Sequence, residues 1–470
     1  MTALDVVIMA AGKGTRMKSS RPKVLHTLAG RPMAAHVVAA ARALEPRRVV
    51  IVTGHGAAGV EHALGRLPRD ANAPALQFVR QEPQLGTGHA VRQAAPLLGQ
   101  DGTVVVLNGD VPLISSDAIA RLAAASGGAR LALLTVVLDD PTGYGRIVRD
   151  AGAAVRGIVE HKDASEAQRA IREVYTGIMA APARHLHGWL GRITNDNAQH
   201  EYYLSDVAAL AVADGVEVLG LPTADAVQVT GVNSARQLAE LERAWQLRQA
   251  QALMDDFGTR LADPARFDLR GTLDVGPDVE IDVGCVFEGA VSLGEGVRIG
   301  AHCVIANAAI AAGAVIHPFT HIDGGAAGGV AVGEGALVGP FARLRPGALL
   351  GAEVHIGNFV EVKNSTLAAG AKANHLAYLG DATVGELVNY GAGAITANYD
   401  GANKHRTVIE ADVHVGSNCV LVAPVTLGAG GTVAGGSTIT KDAPAGALSV
   451  ARGKQVTIPD WKRPTTAAKS

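Results

Sequence analysis

Aromatic residues are scarce in this chain, 4% of 470 residues, and cysteines scarcer still, three in all. Three cysteines in a chain of this length make no disulfide framework. An excess of either charge is also missing. Forty-two Lys and Arg stand against 44 Asp and Glu, a formal net charge of −2, which removes any electrostatic argument for nucleic acid or a membrane surface as partner. No run approaches the ~18 apolar residues of a spanning helix, so no membrane insertion is expected. The opening MTALDVVIMAAG has no basic leading segment, and its apolar run stops at Gly12. It reads as a first strand, not a signal peptide, and a cytoplasmic location is expected. Glycine, in contrast, is plentiful: 57 residues, about 12% against a usual ~7%. Most of the excess follows residue 270, and this shift together with the length predicts at least two domains.

The glycines of the C-terminal half are periodic. In Val332 to Lys363, VGEGALVGPFARLRPGALLGAEVHIGNFVEVK, an aliphatic-glycine pair falls at 332-333, 338-339, 350-351 and 356-357, one six-residue register. A hexapeptide period marks a parallel β-helix with three hexapeptides to each 18-residue coil, and few aromatics suit its core of Val, Ile, Leu and Ala. Similar pairs run from Val275-Gly276 to Leu427-Gly428, with slips at 306–331 and 366–372 and a failure at 397–411, ANYDGANKHRTVIEA. Such breaks are where loops leave a coil, and loops carry binding groups. Arg345 and Lys363 occupy two slots of the glycine register, 18 residues apart. A regular coil stacks them one strand spacing apart, ~4.8 Å, where two positive charges repel by roughly 1–3 kcal/mol. Nothing in a solenoid requires that pair; a bound anion such as a phosphate would relieve it. Cys285 and Cys303 are also 18 apart and are expected to stack as small buried core residues, unbridged.

Residues 1–230 alternate strand and helix patterns. Strands are expected at 5–9, 48–53, 76–79, 103–107 and 131–137, with helices at 32–44 and 88–98, which predicts an α/β domain with a mostly parallel sheet. Ligands of such sheets bind at the carboxyl ends of the strands. There the chain carries AAGKGTRM (10–17), whose glycines let backbone N–H groups approach phosphates while Lys13 and Arg16 add charge. Lys23 follows. QLGTGH (84–89) forms a second turn, and LNGDVPL (107–113) sets Asp110 just past a strand, where a Mg²⁺ ligand facing a phosphate loop is needed. The glycine pattern is neither a dinucleotide fingerprint nor a Walker loop. Residues 235–256 read as a long helix behind a Ser234/Gln237 capping box.

Taken together, AAGKGTRM, RPKVLHTLAGRPM, QLGTGHA, GDVPL, DDPTGYGRI, GIVEHKDA, NAQHEYYLSD and TGVNSARQL, followed by a hexapeptide solenoid, resemble the sugar-phosphate nucleotidyltransferases. Among these they are most similar to the bifunctional bacterial family that joins an N-acetylglucosamine-1-phosphate uridylyltransferase to a glucosamine-1-phosphate N-acetyltransferase. The resemblance covers nearly the whole chain. It implies a Rossmann-like α/β nucleotidyltransferase domain (1–232), a linker helix (233–256), a left-handed β-helix acetyltransferase domain (257–458) and a mobile basic tail (459–470). It implies UTP and acetyl-CoA as substrates beside the two sugar phosphates, Mg²⁺ as cofactor, and a homotrimer formed through the β-helix.

Residue by residue, the resemblance assigns Ala10, Ala11, Gly12, Gln81, Gly86 and Thr87 to the uridine nucleotide, and Arg16 and Lys23 to phosphates. It assigns Asp110 and Asn233 to Mg²⁺, and Gly145, Glu160 and Tyr203 to the sugar. Asn108 and Gly109 belong to the same set. Tyr175 stands where the family usually has an asparagine touching the sugar, and Asn108 where some members have tyrosine. In the solenoid it implies His375 as base, which its pKa suits. Arg345 and Lys363 hold the sugar phosphate, as the stacking argument suggests independently, and Tyr378 and Asn389 hold the sugar. Asn398 and Tyr399 position donor and acceptor. Ala392, Ser417, Gly435 (usually alanine) and Arg452 line the acetyl-CoA site. The residues alone also admit a single-activity nucleotidyltransferase whose solenoid only oligomerises.

Overall fold

The computed structural model describes residues 3–69, 73–326 and 329–464. It divides into two compact units, Met1–Trp245 and Gln246–Ser470. The division falls inside one helix, Ala235–Phe257. Leu238, Leu241, Ala244 and Trp245 pack with Met17, Leu28 and Met33 of the first unit. Ala250 and Leu253 join the core of the second.

In the first unit, four strands lie parallel in the order Leu76–Arg80, Arg48–Thr53, Leu4–Ala10, Thr103–Asn108. Their centres are runs such as Val49-Val50-Ile51-Val52 and Val104-Val105-Val106, fully buried. Continuous aliphatic runs are what a sheet covered on both faces needs, and two separate cores occupy the two faces. Beyond Thr103–Asn108 comes Glu173–Pro182, antiparallel to its neighbours, then Leu131–Val137 with Val218–Thr223 parallel to it. The strand 173–182 was not among those expected from the sequence. Its pattern is interrupted at Thr176-Gly177, where Gly177 has φ 82° and the pairing slips between Tyr175 and Met179. The hairpin of Gly145–Arg149 and Val155–Val159 attaches to its first half.

The second unit is the parallel β-helix that the hexapeptide period predicts, of the left-handed kind that the resemblance implies. Leu337↔His355 and Arg343↔Glu361 keep the 18-residue coil. The expected irregularities have defined sizes. Val315 pairs with Leu337, His355 with Lys372, and Asn389 with His414, so the coils at the two slips are long and short, and the failure at 397–411 is one seven-residue excursion. Inward side chains from Phe267 to Ile439, nearly all aliphatic, form one continuous core. Cys285, Cys303 and Cys419 are free and buried within it; burial pushes the Cys285 thiol up to about 11. From Val450 to Pro464 the chain has no regular structure and is exposed. The remainder of the tail expected at 459–470 lies outside the described residues.

Candidate functional site

The first unit gathers its polar set at the carboxyl edge of the sheet. Ala10 ends the first strand, and Ala11 is buried behind it while Gly12 is open. Gly14, with φ 61°, turns the loop into Thr15–Met17. Gly109 approaches the first strand closely, its N–H donating to Met9 O at 2.9 Å; a Cβ there would meet the same oxygen at 3.0 Å. Asp110 and Asn233, far apart in sequence, meet through Lys23. The Lys23 ammonium forms an ion pair with Asp110 Oδ2 and donates to Asn233 Oδ1 at 3.2 Å. Arg16 Nη2 donates to the same Asn233 oxygen at 2.8 Å. Val232 N–H donates to Asp110 O, and Gln237 Oε1 accepts from Asn233 N–H at 2.8 Å. Gln237 thus caps one residue earlier than the capping box proposes, while its own N–H donates to Ser234 Oγ at 3.3 Å. Two hard oxygens, the Asp110 carboxylate and the Asn233 amide, converge on one cation, and the described residues hold no group of three His, Cys, Asp or Glu side chains; such a sparse oxygen set fits Mg²⁺, which takes one or two protein oxygens and completes its shell with phosphate and water.

The residues expected to hold the nucleotide gather on the turn before Thr87–Ala94. Gln81 is buried, donating to Gly86 O at 2.9 Å and lying 3.2 Å from His89 Nδ1. Gly86 has φ 108°, and a Cβ there would meet Tyr202 O at 2.6 Å, so only glycine fits. Thr87 Oγ1 accepts from Leu204 N–H at 3.0 Å. These bonds tie the 85–88 turn to 202–204, which delivers Tyr203 and Ser205. Asn108 reaches across to Thr176 O at 3.4 Å.

The residues expected to hold the sugar surround two half-buried acids, Glu160 and Asp206, with Asp163 and Glu201 exposed beside them. Ser205 Oγ donates to Glu160 Oε1 at 2.8 Å. Burial pushes the Glu160 carboxyl up, opposed by the Ser205 bond and helped by the Asp163 and Glu201 charges. Asp206 is pushed to about 6 by burial and by Glu160 and Asp163. A Cβ on Gly145 would lie 2.8 Å from Ile158 Cγ2 and 3.3 Å from Glu160 Oε1, which is why glycine sits there. Tyr175 pairs with Gly145 across the strands. Tyr203 OH accepts from Gln199 Nε2 at 2.8 Å. Tyr144, next to Gly145, is raised by burial and by the charge of Asp110.

In the second unit the expected residues fall on two neighbouring corners of the coil. On one, Leu376 N–H donates to Asn358 O, Gly393 N–H to His375 O, Asn418 N–H to Ala392 O and Gly436 N–H to Ser417 O. Arg452 Nη1 closes the ladder on Gly435 O at 2.6 Å. His375, Ala392, Ser417 and Gly435 therefore stack on successive coils. His375 Nδ1 lies 3.4 Å from Asn358 Oδ1. On the next corner, Asn364 N–H donates to Pro346 O and Asp381 N–H to Lys363 O. Arg345 and Lys363 are stacked neighbours, since Arg345 N–H donates to Val362 O. Tyr378 lies on the face between the corners, paired with Glu361. Asn398, buried, bonds to Asp381 Oδ2, while Tyr399 is exposed and donates to Gly401 O at 2.6 Å. Asn389 stands apart. It stacks on Lys372, on the face that ends at His375, and not beside Tyr378.

The stacked cations need one correction. Arg345 is not uncompensated, because Glu361 pairs with it at 2.7 Å. Glu361 alternates with Lys363 along one strand, a signal legible in E-V-K. A third cation was missed: Lys404, in the register-breaking loop. Its ammonium against Lys363, with burial and the Arg345 charge, holds Lys363 below the usual lysine range, and Asp381 opposes them.

The MobA-like NTP transferase domain matches residues 6–180. The Bifunctional protein GlmU of Paracidovorax citrulli is 72% identical over 478 residues, covering all of both chains. That of Methylibium petroleiphilum is 70% identical over 465 residues, covering 98% of this chain and 99% of the relative. That of Bordetella parapertussis is 58% identical over the same shares of each. At these identities, held from end to end, the chain belongs to the GlmU family of bifunctional proteins.

Proposed function

We propose that each unit carries one of the chain's two reactions, with the residue roles set out here. As a GlmU-family member the chain is a bifunctional transferase. It acetylates glucosamine 1-phosphate with acetyl-CoA and transfers UMP from UTP to N-acetylglucosamine 1-phosphate, giving UDP-N-acetylglucosamine and pyrophosphate. Among the described residues no helix is long and apolar enough to cross a membrane.

In the first unit Gln81, Gly86 and Thr87 hold the uridine nucleotide. Gly145, Glu160 and Tyr203 hold the sugar, and Arg16 and Lys23 the phosphates. A sugar-phosphate oxygen attacks the α-phosphorus and pyrophosphate leaves. No covalent nucleophile from the protein is needed, so alignment and charge neutralisation carry the rate. Asp110 and Asn233 hold Mg²⁺, which supplies charge neutralisation at the phosphates when bound. Lys23 bridges those two oxygens here, and with a metal held by them its ammonium would be available to a phosphate.

In the second unit Arg345, Lys363 and Lys404 hold the phosphate of glucosamine 1-phosphate and Tyr378 supports the sugar. His375 takes the ammonium proton, with Asn358 holding Nδ1 so that Nε2 faces the substrate. The freed amine attacks the thioester carbonyl, and coenzyme A leaves as the thiol. Acetyl-CoA runs along the corner of Ala392, Ser417, Gly435 and Arg452, beside Asn398 and Tyr399. The single observation carrying this reading is the gathering of residues spread from 345 to 452 onto two corners bounding one face.

We propose further that the acetylation site lies between copies of the chain in a cytoplasmic homotrimer. Asn389 and Tyr378 occupy different faces of one coil, so one copy does not bring them to the same sugar. The exposed stack Phe319, Phe341 and Phe359, rings 5.1 and 5.4 Å apart, runs up to the His375 corner and offers an apolar surface for the neighbour. Sedimentation of Phe341→Glu tests this. A dissociated protein with lost thiol release and retained pyrophosphate release supports the reading; a monomer with full acetyl transfer sinks it.

A further inference from the structure

Asp381 is a buried acid that the mechanism above leaves unused. It is 7% exposed and forms no salt bridge among the described residues, although its charge reaches Lys363 and helps to keep that lysine protonated. A carboxylate withdrawn from water has to be bonded. Two asparagine amides do this, one on each neighbouring coil. Asn364 Nδ2 donates to Oδ1 at 2.5 Å, and Asn398 Nδ2 donates to Oδ2. Asp381 also fastens both ends of the register-breaking excursion: its side chain holds Asn398 at the start, and its carbonyl accepts from Thr407 N–H at 3.2 Å at the end. Its φ of 52° is left-handed, a conformation that Asp and Asn adopt more readily than other side chains.

The bond to Asn398 fixes an orientation as well as a distance. An ionised carboxylate has no hydrogen to give, so the amide that meets it presents its nitrogen. The Asn398 carbonyl oxygen is thereby turned away from Asp381. Asn398 is 9% exposed, yet its Oδ1 is neither bonded to another described residue nor sealed from solvent. It is a directed acceptor with an open side. It stands at the start of the loop whose Lys404 lies against Lys363.

We infer that Asp381 is a positioning residue for acetyl transfer: by holding the nitrogen end of Asn398 it keeps the carbonyl end facing the substrate's amino group. The inference rests on the reading of the Arg345, Lys363 and His375 region as the acetylation site, and deepens it. As the amine attacks the thioester carbonyl, its nitrogen gains positive charge and its remaining N–H groups become stronger donors. An acceptor already in place for them stabilises that charge more in the transition state than in the bound substrate, so the effect falls on kcat. A turned amide would set N–H against N–H. The same acceptor favours nitrogen over oxygen as the attacking atom, because a hydroxyl that has passed its proton to His375 has no hydrogen left to offer.

The test compares two variants in thiol release, with pyrophosphate release and thermal unfolding alongside. Asp381→Ala frees the Asn398 amide to turn. It should lower kcat about tenfold or more and leave the KM for acetyl-CoA unchanged. The KM for glucosamine 1-phosphate should not rise, because a charge opposing the cation cluster has gone. The double variant Asn364→Asp with Asp381→Asn moves the carboxylate to the neighbouring coil. The amide at 381 then gives its nitrogen to the acid at 364 and its oxygen to Asn398, so Asn398 keeps its orientation and most of the lost kcat should return. A merely structural role would raise both KM values in Asp381→Ala, and that pattern overturns the inference. So does a folded Asp381→Ala with unchanged kcat. Should Asp381→Ala fail to fold, the double variant decides: wild-type turnover supports the orientation, and a folded protein with kcat down about tenfold refutes it. Asn398→Ala separates the two levels. If it leaves thiol release unchanged while His375→Ala abolishes it, the site stands and the role of Asp381 is refuted. If neither changes it, the reading of the site fails as well.

Discussion

Replacing Lys363 with methionine keeps the aliphatic stem and removes one charge from a crowded corner. Arg345 lies one coil below, ~4.8 Å away along the stack, and Lys404 stands against it from the loop. Coulomb's law at that separation gives roughly 1–3 kcal/mol between water-like and surface-like dielectrics. Glu361, at 2.7 Å from Arg345, offsets part of one cation, and Lys363 itself is partly solvated. The lower end, ~1 kcal/mol, is the appropriate figure. For a unit of this size that is a melting temperature raised by about 2–4 °C. The gain should appear in low-salt buffer and shrink at high salt, where the screening length falls towards ~3 Å.

The pH dependence has a fixed sign. Because the folded-state pKa of Lys363 is depressed, repulsion is fully present while the lysine is protonated. It fades as pH rises through that pKa towards the unfolded value, ~10.4. Wild type gains stability over that window and Lys363→Met does not. Function should move the other way. Loss of a charge-assisted hydrogen bond to phosphate, ~1.5–3 kcal/mol, raises the KM for glucosamine 1-phosphate by roughly 10- to 100-fold. Thermal unfolding at two salt concentrations and thiol release against glucosamine 1-phosphate measure both effects. A variant that melts lower regardless of salt, or that keeps its KM, would refute a repulsive anion clamp.

Two further outcomes concern the first unit. Asp206 has its folded pKa raised to about 6, so the stability it contributes is present below ~3.9 and lost as pH rises to about 6, ~2 kcal/mol after solvent screening. Chemical denaturation of Asp206→Asn from pH 4 to 7 should be flatter than that of wild type, and equal slopes would contradict the burial argument. Gly145→Ala places a methyl 2.8 Å from Ile158 Cγ2 and 3.3 Å from Glu160 Oε1. It should destabilise by about 1–3 kcal/mol and raise the KM for the acetylated sugar phosphate, leaving thiol release alone; unchanged pyrophosphate kinetics would show that the strand pair can spread at no cost.

The parts of this structure most legible in the sequence are those with a short physical period. The buried runs from Val6 to Ile8, Val49 to Val52 and Val104 to Val106 announce parallel strands, and the Gly333 register announces the coil. Even the coil's failure at 397–411 was visible, because a loop must interrupt the period. The strand 173–182 was not, since a glycine at φ 82° and a pairing slip hide its alternation. Lys404 was missed for a related reason. Sequence distance carries no information about which way a loop folds back, and its approach to Lys363 depends on that excursion. The meeting of Asp110 with Asn233 likewise depends on a bond across the fold, Val232 N–H to Asp110 O, which no local pattern encodes.

The central claim is that two independent sites act in one chain. The most direct measurement supplies glucosamine 1-phosphate, acetyl-CoA, UTP and Mg²⁺ and follows free thiol and pyrophosphate separately in Asp110→Ala and His375→Ala. Asp110→Ala should release thiol at the wild-type rate and no pyrophosphate. His375→Ala should release no thiol, yet give pyrophosphate normally once N-acetylglucosamine 1-phosphate is provided. A folded variant that lost both activities would contradict the account.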